Sequence, residues 1–550
     1  MNSQPSTLWT HLSSETNHTG TWRSALPLYQ NQPSPCHGAC PVGGSIATWI
    51  KQVKDGDHYE AWLTLVDNNP FPAIAGRICH HPCETACNRA EHDETVGICS
   101  LERFVGDLAL REGWSFPSPD VELSQSVAVI GGGPAGLSAA YQLRRQGLQV
   151  TLFEAREALG GLMRYGIPSY RLSPDILDGE VARITAMGID LRLNAEVMDE
   201  KALTALHKDF DAVFLATGAS LPKELPGLDY SQSFVLDSAA FLADEPEAQS
   251  SQTGEHILVI GGGSAALDVA RTARRLGRKV TVLTLESEGH LPAQQVELDE
   301  ASEEGIEFIT GAMMQSAVGK DGSVTVHATK VDFQIGNAPG GFTAAPVAGS
   351  EFTIEVNTII PAIGQDADLA RWNGILNTSG PVINISGAHG KTSQPGIFAG
   401  GDVASMSRFV TQAIGMGKEA ALGIVATLVD DADVVAPSQE PEVLLDRINT
   451  AYHVNHGRNT QGLAEVASRL ETFDEVQQPL APAQAQSEAE RCFSCGTCTL
   501  CDNCFYYCPD VAIIKLEDGY EIKTDYCKGC GLCVAECPTG SIHMQEDIAS

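Results

Sequence analysis

"VAVIGGGPAGLSAAYQLRRQGLQVTLFEA", residues 127–155, decides the core of the fold. Four apolar residues lead into a turn through Gly131, Gly133 and Gly136. A helix pattern follows, opened by Pro134 and Ala135, and then a second apolar strand that ends at Glu154. Strand, glycine turn, helix and strand in that order make a βαβ unit. Its turn lets the backbone approach a pyrophosphate, whose charge meets the helix amino terminus. Glu154 stands where a carboxylate accepts hydrogen bonds from a ribose. "ILVIGGGSAALDVARTARRLGRKVTVLTLES", residues 257–287, repeats the device with Gly261, Gly263, Ser264, Ala265 and Ala266. Two such units on one chain predict two dinucleotides on an α/β frame.

Around this core the cysteines are unevenly placed. Six lie at 36, 40, 79, 83, 87 and 99, ten lie between 492 and 537, and none lies between. The chain therefore divides into a cysteine-rich head, a cysteine-free middle and a cysteine-rich tail. Thiol–disulfide chemistry beside the middle is excluded unless an end supplies the thiols. With 70 acids against 35 bases the formal charge is −35, which opposes a nucleic-acid partner. No apolar stretch approaches the ~20 residues of a membrane span. The first twenty residues lack the basic start and apolar core of a secretory signal. Sixteen cysteines on such a chain point to thiolate ligands in a reducing cytoplasm.

The tail carries the most specific spacing. Cys498, Cys501, Cys504 and Cys508-Pro509, then Cys527, Cys530, Cys533 and Cys537-Pro538, repeat C-x2-C-x2-C-x3-C-P. In such ferredoxin runs the fourth cysteine ligates the other cluster. One [4Fe-4S] site would use Cys498, Cys501, Cys504 and Cys537, and the other Cys527, Cys530, Cys533 and Cys508. A zinc ribbon is the bland alternative. Cys492 and Cys495, just upstream, belong to neither run. In the head, Ile46, Trp49, Ile50 and Val53 share one helical face, and Ala61, Trp62, Leu65 and Val66 form part of another.

The paired glycine motifs resemble those of the two-dinucleotide-binding-domain flavoproteins, and the resemblance implies FAD on the first unit and a nicotinamide nucleotide on the second. "GIFAGGDVASMSRFVTQAIGMGKEAA", residues 396–421, is similar to that family's second FAD motif. The resemblance implies Gly401, Asp402 and Thr411 of this motif, together with Gly161 upstream, as further flavin contacts, with Asp402 on the ribityl chain. "ATGA" at 216–219 and "PAIGQ" at 361–365 look like the crossings to and from the inserted domain. Relatives that use NADPH tend to carry paired arginines after the second strand of that domain. Here Leu285 and Glu286 stand in those places, so NADH is expected to be preferred, with Glu286 on the 2′-hydroxyl. The alternative is that Glu286 is only solvated and that Arg271, Arg274 or Arg275 reaches a phosphate.

Head and middle together resemble the small subunit of glutamate synthase and the amino-terminal part of dihydropyrimidine dehydrogenase. The resemblance implies two [4Fe-4S] clusters in a helical head. The family's leading C-x-x-C is missing before Cys36, but "EAERCFSCG" at 488–496 matches it. Cys492 and Cys495 are therefore expected to return and complete a cluster with Cys36 and Cys87. Cys40, Cys79, Cys83 and Cys99 would hold the second, with Glu102 as the alternative fourth ligand.

The expected organisation is a helical iron–sulfur domain over 1–124 and an FAD domain over 125–250 and 366–430. An NAD(H) domain is expected over 251–365, a linker over 431–490 with two short helical patterns at 441–452 and 463–476, and the C-x-x-C return plus α+β ferredoxin domain over 491–550. The expected function is an electron-transfer subunit that moves electrons between NADH and a partner through FAD and four [4Fe-4S] clusters. No protein side chain is expected to act as catalyst. The partner is expected to be another oxidoreductase subunit or a ferredoxin, making a hetero-oligomer. The alternatives are a stand-alone NAD(P)H:ferredoxin oxidoreductase and, from another class, an iron–sulfur or zinc regulator.

Overall fold

The computed structural model describes residues 18–244, 246–336, 341–372, 374–429 and 441–547. The first seventeen residues and the start of the linker, both read above, lie outside the described residues. The fold class is the one expected, a two-unit α/β core with a helical head and an α+β tail.

The apolar run before the first glycine turn, Val127–Ile130, is buried on both faces, as a central strand of a parallel sheet requires. Ser126–Ile130 pairs in parallel with Gln149–Phe153 on one side and Ala212–Leu215 on the other. Ile397–Ala399 and Asp190–Arg192 complete a five-stranded sheet. Helices Pro134–Arg145 and Val410–Leu428 pack on each other against it. A Cβ on Gly417 would collide with the Ala135 carbonyl, so this crossing needs a glycine.

The inserted unit has a four-stranded parallel sheet, ordered Thr358–Pro361, His256–Ile260, Lys279–Leu283 and Glu307–Ile309. An antiparallel meander, Ala312–Lys320, Ser323–Ile335 and Phe342–Val356, covers one face. Its Met314, Val324, Val326 and Val356 pack on Leu258, Ile260 and Leu283. The chain crosses between units through a short antiparallel pair, Leu221–Pro222 with Gln365–Asp366. That position corrects the outward boundary read from sequence. Residues 225–244, grouped there with the FAD half, pack on the inserted unit through Leu228, Val235 and Phe241.

The head buries both apolar faces expected of it, with Trp49 and Val53 on one helix and Ala61 and Trp62 on the next. Trp62 stacks on Phe116 with ring centroids 5.5 Å apart, against the flank of the FAD unit. Helices Pro72–Ile78 and Ile98–Glu112 touch backbone to backbone, since a Cβ on Gly106 would collide with the Ala73 amide.

Two features depart from the sequence reading. Residues 18–30, assigned to the head, belong to the tail: Ala25–Tyr29 pairs antiparallel with Ile542–Glu546. Arg23 reinforces this by an ion pair with Asp547. The linker segment 441–452, read as helical, holds only single 3-10 turns at Leu445–Arg447 and Thr450–Tyr452. Its backbone groups bond instead to the head and tail, Val443 N to Pro33 O and Asn449 N to Cys537 O. The second helical reading, 463–476, shrinks to Val466–Glu471. Helix Pro482–Glu490 then docks on the head helices Ile46–Asp55 and Ile98–Glu112 and delivers Cys492 within the same chain.

Candidate active site

A cavity of about 440 Å³ opens at the carboxyl ends of the five-stranded sheet. Gly131, Gly133, Pro134, Ala135, Glu154, Gly161, Gly401 and Asp402 all line it, and Gly136 lies buried beneath the turn. Glu154 Oε2 accepts from Gly132 N at 2.7 Å and Oε1 from Arg156 N at 2.8 Å, which fixes its carboxylate at the rim. Gly131 sits at φ +107° with its α-carbon facing the Ala216 carbonyl, where a Cβ would collide. Burial lifts the Asp402 carboxyl to about 6, although Arg408 nearby pulls it down. Arg408 also lines the cavity, and its buried Nε has no hydrogen-bond partner among the described residues. An orphaned guanidinium nitrogen, a glycine-walled turn and a helix amino terminus fit a bulky ligand bearing phosphates and polar ring atoms, as FAD does. Thr411 departs from expectation: its hydroxyl meets Cys79 Sγ at 3.6 Å rather than facing the cavity, and Phe409 and Val410 line the wall.

The second glycine turn has the same build. Gly261 is at φ +136°, and a Cβ on Gly262 would lie 3.2 Å from Glu286 Oε2. The Glu286 carboxylate thus folds back toward its turn as Glu154 does, held by a hydrogen bond from Thr284 Oγ1. Ala266 is buried under the turn, Ala265 is exposed, and Ser264 Oγ donates to Glu297 Oε2 at 2.6 Å. The three arginines named as the alternative are all engaged. Arg271 and Arg275 lie buried on Glu304 at 2.7 and 2.9 Å, and Arg274 bonds the Glu304 and Arg278 carbonyls. Between the units, Arg171 bridges Asp268 at 2.7 Å and Glu297 at 2.6 Å.

In the head, Cys36, Cys87, Cys492 and Cys495 line one small apolar cavity with Ile46, Ile50, Val96 and Ile98. Burial, reinforced by neighbouring sulfurs, pushes Cys492 up to about 11 and Cys495 to about 12. Four sulfurs in so dry a cage can ionise together only around a cation, which fits an iron–sulfur cluster. Asn88 Nδ2 donates to Cys495 Sγ at 3.4 Å and Ser494 N to Cys492 Sγ at 3.4 Å.

Cys40, Cys79, Cys83 and Cys99 form the neighbouring group. Cys99 touches both Cys79 and Cys83, and Cys40 faces Cys83 and Glu102. The Glu102 carboxyl, buried and beside Cys79, is raised to about 8, and its Oε1 accepts from Asn69 Nδ2 at 2.7 Å. His81, Glu84 and Cys99 also bring ligand atoms within 4.8 Å of one another, a grouping that sequence reading missed. Glu84 is nonetheless occupied, by Cys99 N at 2.9 Å and Arg458 Nη2 at 2.6 Å.

The tail gathers Cys508, Cys527, Cys530 and Cys533 around one cavity, and Cys498 lies beside Cys501 and Cys537. Cys504 belongs with Cys498 and Cys501 and also faces Cys533 of the other set. Tyr29, from the amino-terminal strand, stacks on Tyr520 and presents its buried hydroxyl to the sulfurs of Cys504, Cys533 and Cys498. No spacing rule could have found it, because its partners are almost five hundred residues away.

The four groups follow one another. Cys79 meets Thr411 behind the cavity wall, and its neighbour His80 stacks on the cavity residue Phe409 with centroids 4.0 Å apart. Cys83 lies near Cys87, which leads to the Cys492 group. Cys492 and Cys501 then line a single cleft of about 470 Å³ between head and tail.

Comparison with known proteins bears on the same regions. A model of the pyridine nucleotide-disulphide oxidoreductase family matches residues 125–417. Models of dihydropyrimidine dehydrogenase domain II, 4Fe-4S cluster, and of a 4Fe-4S binding domain match 12–114 and 520–543. The chain is 32% identical over 497 residues to the NADP(+)-dependent formate dehydrogenase subunit beta of Moorella thermoacetica, covering 84% of this chain and 70% of that one. It is 31% identical to the NADPH-Fe(3+) oxidoreductase subunit beta of Geobacter sulfurreducens, covering 84% and 75%. It is 32% identical to the glutamate synthase [NADPH] small chain of Azospirillum brasilense, covering 71% and 86%.

Proposed function

Because the chain belongs to the pyridine nucleotide-disulphide oxidoreductase family, as an oxidoreductase with FAD and [4Fe-4S] domains, we propose that it joins NADH oxidation to a partner oxidoreductase subunit. When bound, FAD would accept one hydride, an electron pair with its proton, and the clusters would carry the electrons away singly. The succession of four cysteine groups, from Cys79 beside the flavin cavity to Cys530 in the tail, carries this reading.

The residues divide the work. Gly131, Gly133 and the helix after Pro134 would cradle the flavin pyrophosphate, and Glu154 and Asp402 would take the sugar hydroxyls. Gly261, Gly263 and the helix from Ser264 would do the same for the nicotinamide nucleotide. Arg171, held between Asp268 and Glu297, ties the FAD unit to the inserted unit and would keep the two nucleotide sites in fixed relation. Phe409, on the cavity wall, stacks on His80 and would stand between the flavin and Cys79. The sixteen cysteines are assigned as four sets of four, with Cys99 completing the second head set.

NADH is the proposed nucleotide although relatives carry NADPH in their names. Glu286 supports the choice, since a carboxylate folded toward the turn binds a 2′-hydroxyl and repels a 2′-phosphate, and the nearby arginines are already paired. An anaerobic titration tests the whole reading. NADH should bleach the flavin absorbance at substoichiometric amounts and then the broad iron–sulfur absorbance. A flavin that NADH leaves oxidised would refute it.

A further inference from the structure

The tail is built from two similar halves that are treated differently. Cys508-Pro509-Asp510-Val511-Ala512-Ile513 in the first corresponds to Cys537-Pro538-Thr539-Gly540-Ser541-Ile542 in the second. At the fourth position both backbones turn left-handed, Gly540 at φ +67° and Val511 at φ +48°. Glycine adopts that conformation freely, but a β-branched residue does so only under constraint. The Gly540 turn is covered by the linker: a Cβ there would meet Val443, and His453 and Asn449 bond Pro538 O and Cys537 O. Among the described residues the Val511 turn has no such cover, and Val511 is 69% exposed.

Its neighbours are exposed as well. Among the sixteen cysteines only Cys501 and Cys530 are exposed, and Cys501 faces the cleft toward the head. Cys530 lies at the opposite group, and the Lys528–Asp510 ion pair at 3.2 Å ties its loop to the Val511 turn. Leu532, two residues on, is 43% exposed. From residue 497 onward the tail holds nine carboxylates and three lysines, and two of the lysines are already paired.

We propose that the Val511–Cys530–Leu532 face is where the redox partner docks, and that the partner presents an apolar patch ringed by lysine and arginine around its own cofactor. This rests on the electron-transfer reading above. The strained valine supplies contact area that the equivalent glycine cannot, and the tail's excess of carboxylates over lysines steers a basic partner toward it. The last cysteine group then meets its acceptor at the side the linker leaves open.

Cytochrome c, a lysine-rimmed one-electron protein, serves as the probe. Its affinity for the fully loaded chain is measured anaerobically by calorimetry at low and moderate salt, together with NADH-driven flavin bleaching. Wild type should bind it in a salt-sensitive manner. Val511→Gly, which relieves the backbone, should keep or raise Tm yet weaken binding about threefold, and Leu532→Lys about tenfold. Flavin bleaching by NADH should not change in either variant. Binding within twofold of wild type in both variants would overturn the proposal. So would a self-association that Leu532→Lys abolishes, because a second copy would then be the occupant. If NADH fails to bleach the flavin, the electron-transfer reading falls, whereas the calorimetry still reports on the face.

Discussion

At the scale of single residues, two carboxylates carry separate expectations. Exchanging Glu286 for Arg should shift the ratio of kcat/KM for NADPH over NADH by about 10- to 100-fold toward NADPH, which is about 1.4–2.8 kcal/mol. An unchanged ratio would remove this residue from nucleotide choice. Asp402 makes a pH-dependent contribution. Its folded value of about 6 lies above the ordinary carboxylate value, so the flavin-free fold holds this proton more tightly than the unfolded chain. That contribution to stability is full at acid pH and is lost as pH rises through about 6. Asp402→Ala should therefore raise the Tm of the flavin-free protein at neutral pH while weakening FAD binding by about tenfold. Differential scanning of apo-protein and a fluorescence titration with FAD check the two halves. The glycines and carboxylates of both turns were legible because the nucleotide turn is local, a dozen residues whose backbone needs dictate their types. Arg408, His80 and Phe409 were not, since their roles depend on which distant segment they happen to face.

At the scale of elements, the linker was the hardest to read. Its apolar spacing over 441–452 suggested a helix, yet its backbone donors and acceptors found partners in the head and tail. Tertiary bonding overrode a weak local preference. Farther along, Glu475 binds Arg77 at 2.7 Å and Arg103 at 2.8 Å, tying the linker to two head helices. Glu475→Gln should cost about 1–3 kcal/mol, seen as a lower Tm and faster proteolysis around 460–480. Helix Pro482–Glu490 aims Cys492 and Cys495 at the head. The double exchange of these cysteines for serine should remove about four iron atoms per chain and leave FAD and the tail iron in place. Metal analysis and electron paramagnetic resonance would show it, and loss of tail iron instead would argue against the grouping. The meander 312–356 was also missed, because its exposed strands alternate weakly and carry no motif.

At the scale of the molecule, each end finishes the other's domain. The tail sends Cys492 and Cys495 into the head cavity, and strand Ala25–Tyr29 completes the tail sheet. Removing residues 18–30 should therefore destabilise the tail, with iron lost from its two groups while FAD remains bound. Spectra of the shortened chain against the full one would decide. The cysteine runs were legible at this scale and the exchanged strand was not, because one is a spacing and the other a meeting of distant segments. The exchange also sets an order of manufacture. The ribosome synthesises the head first, but the two sulfurs that close its outer cage follow Cys87 by about four hundred residues. Metal delivery to that cage must accordingly wait until residues 492 and 495 have emerged, and a product terminated before them would carry an unfinished cofactor site in the part made first.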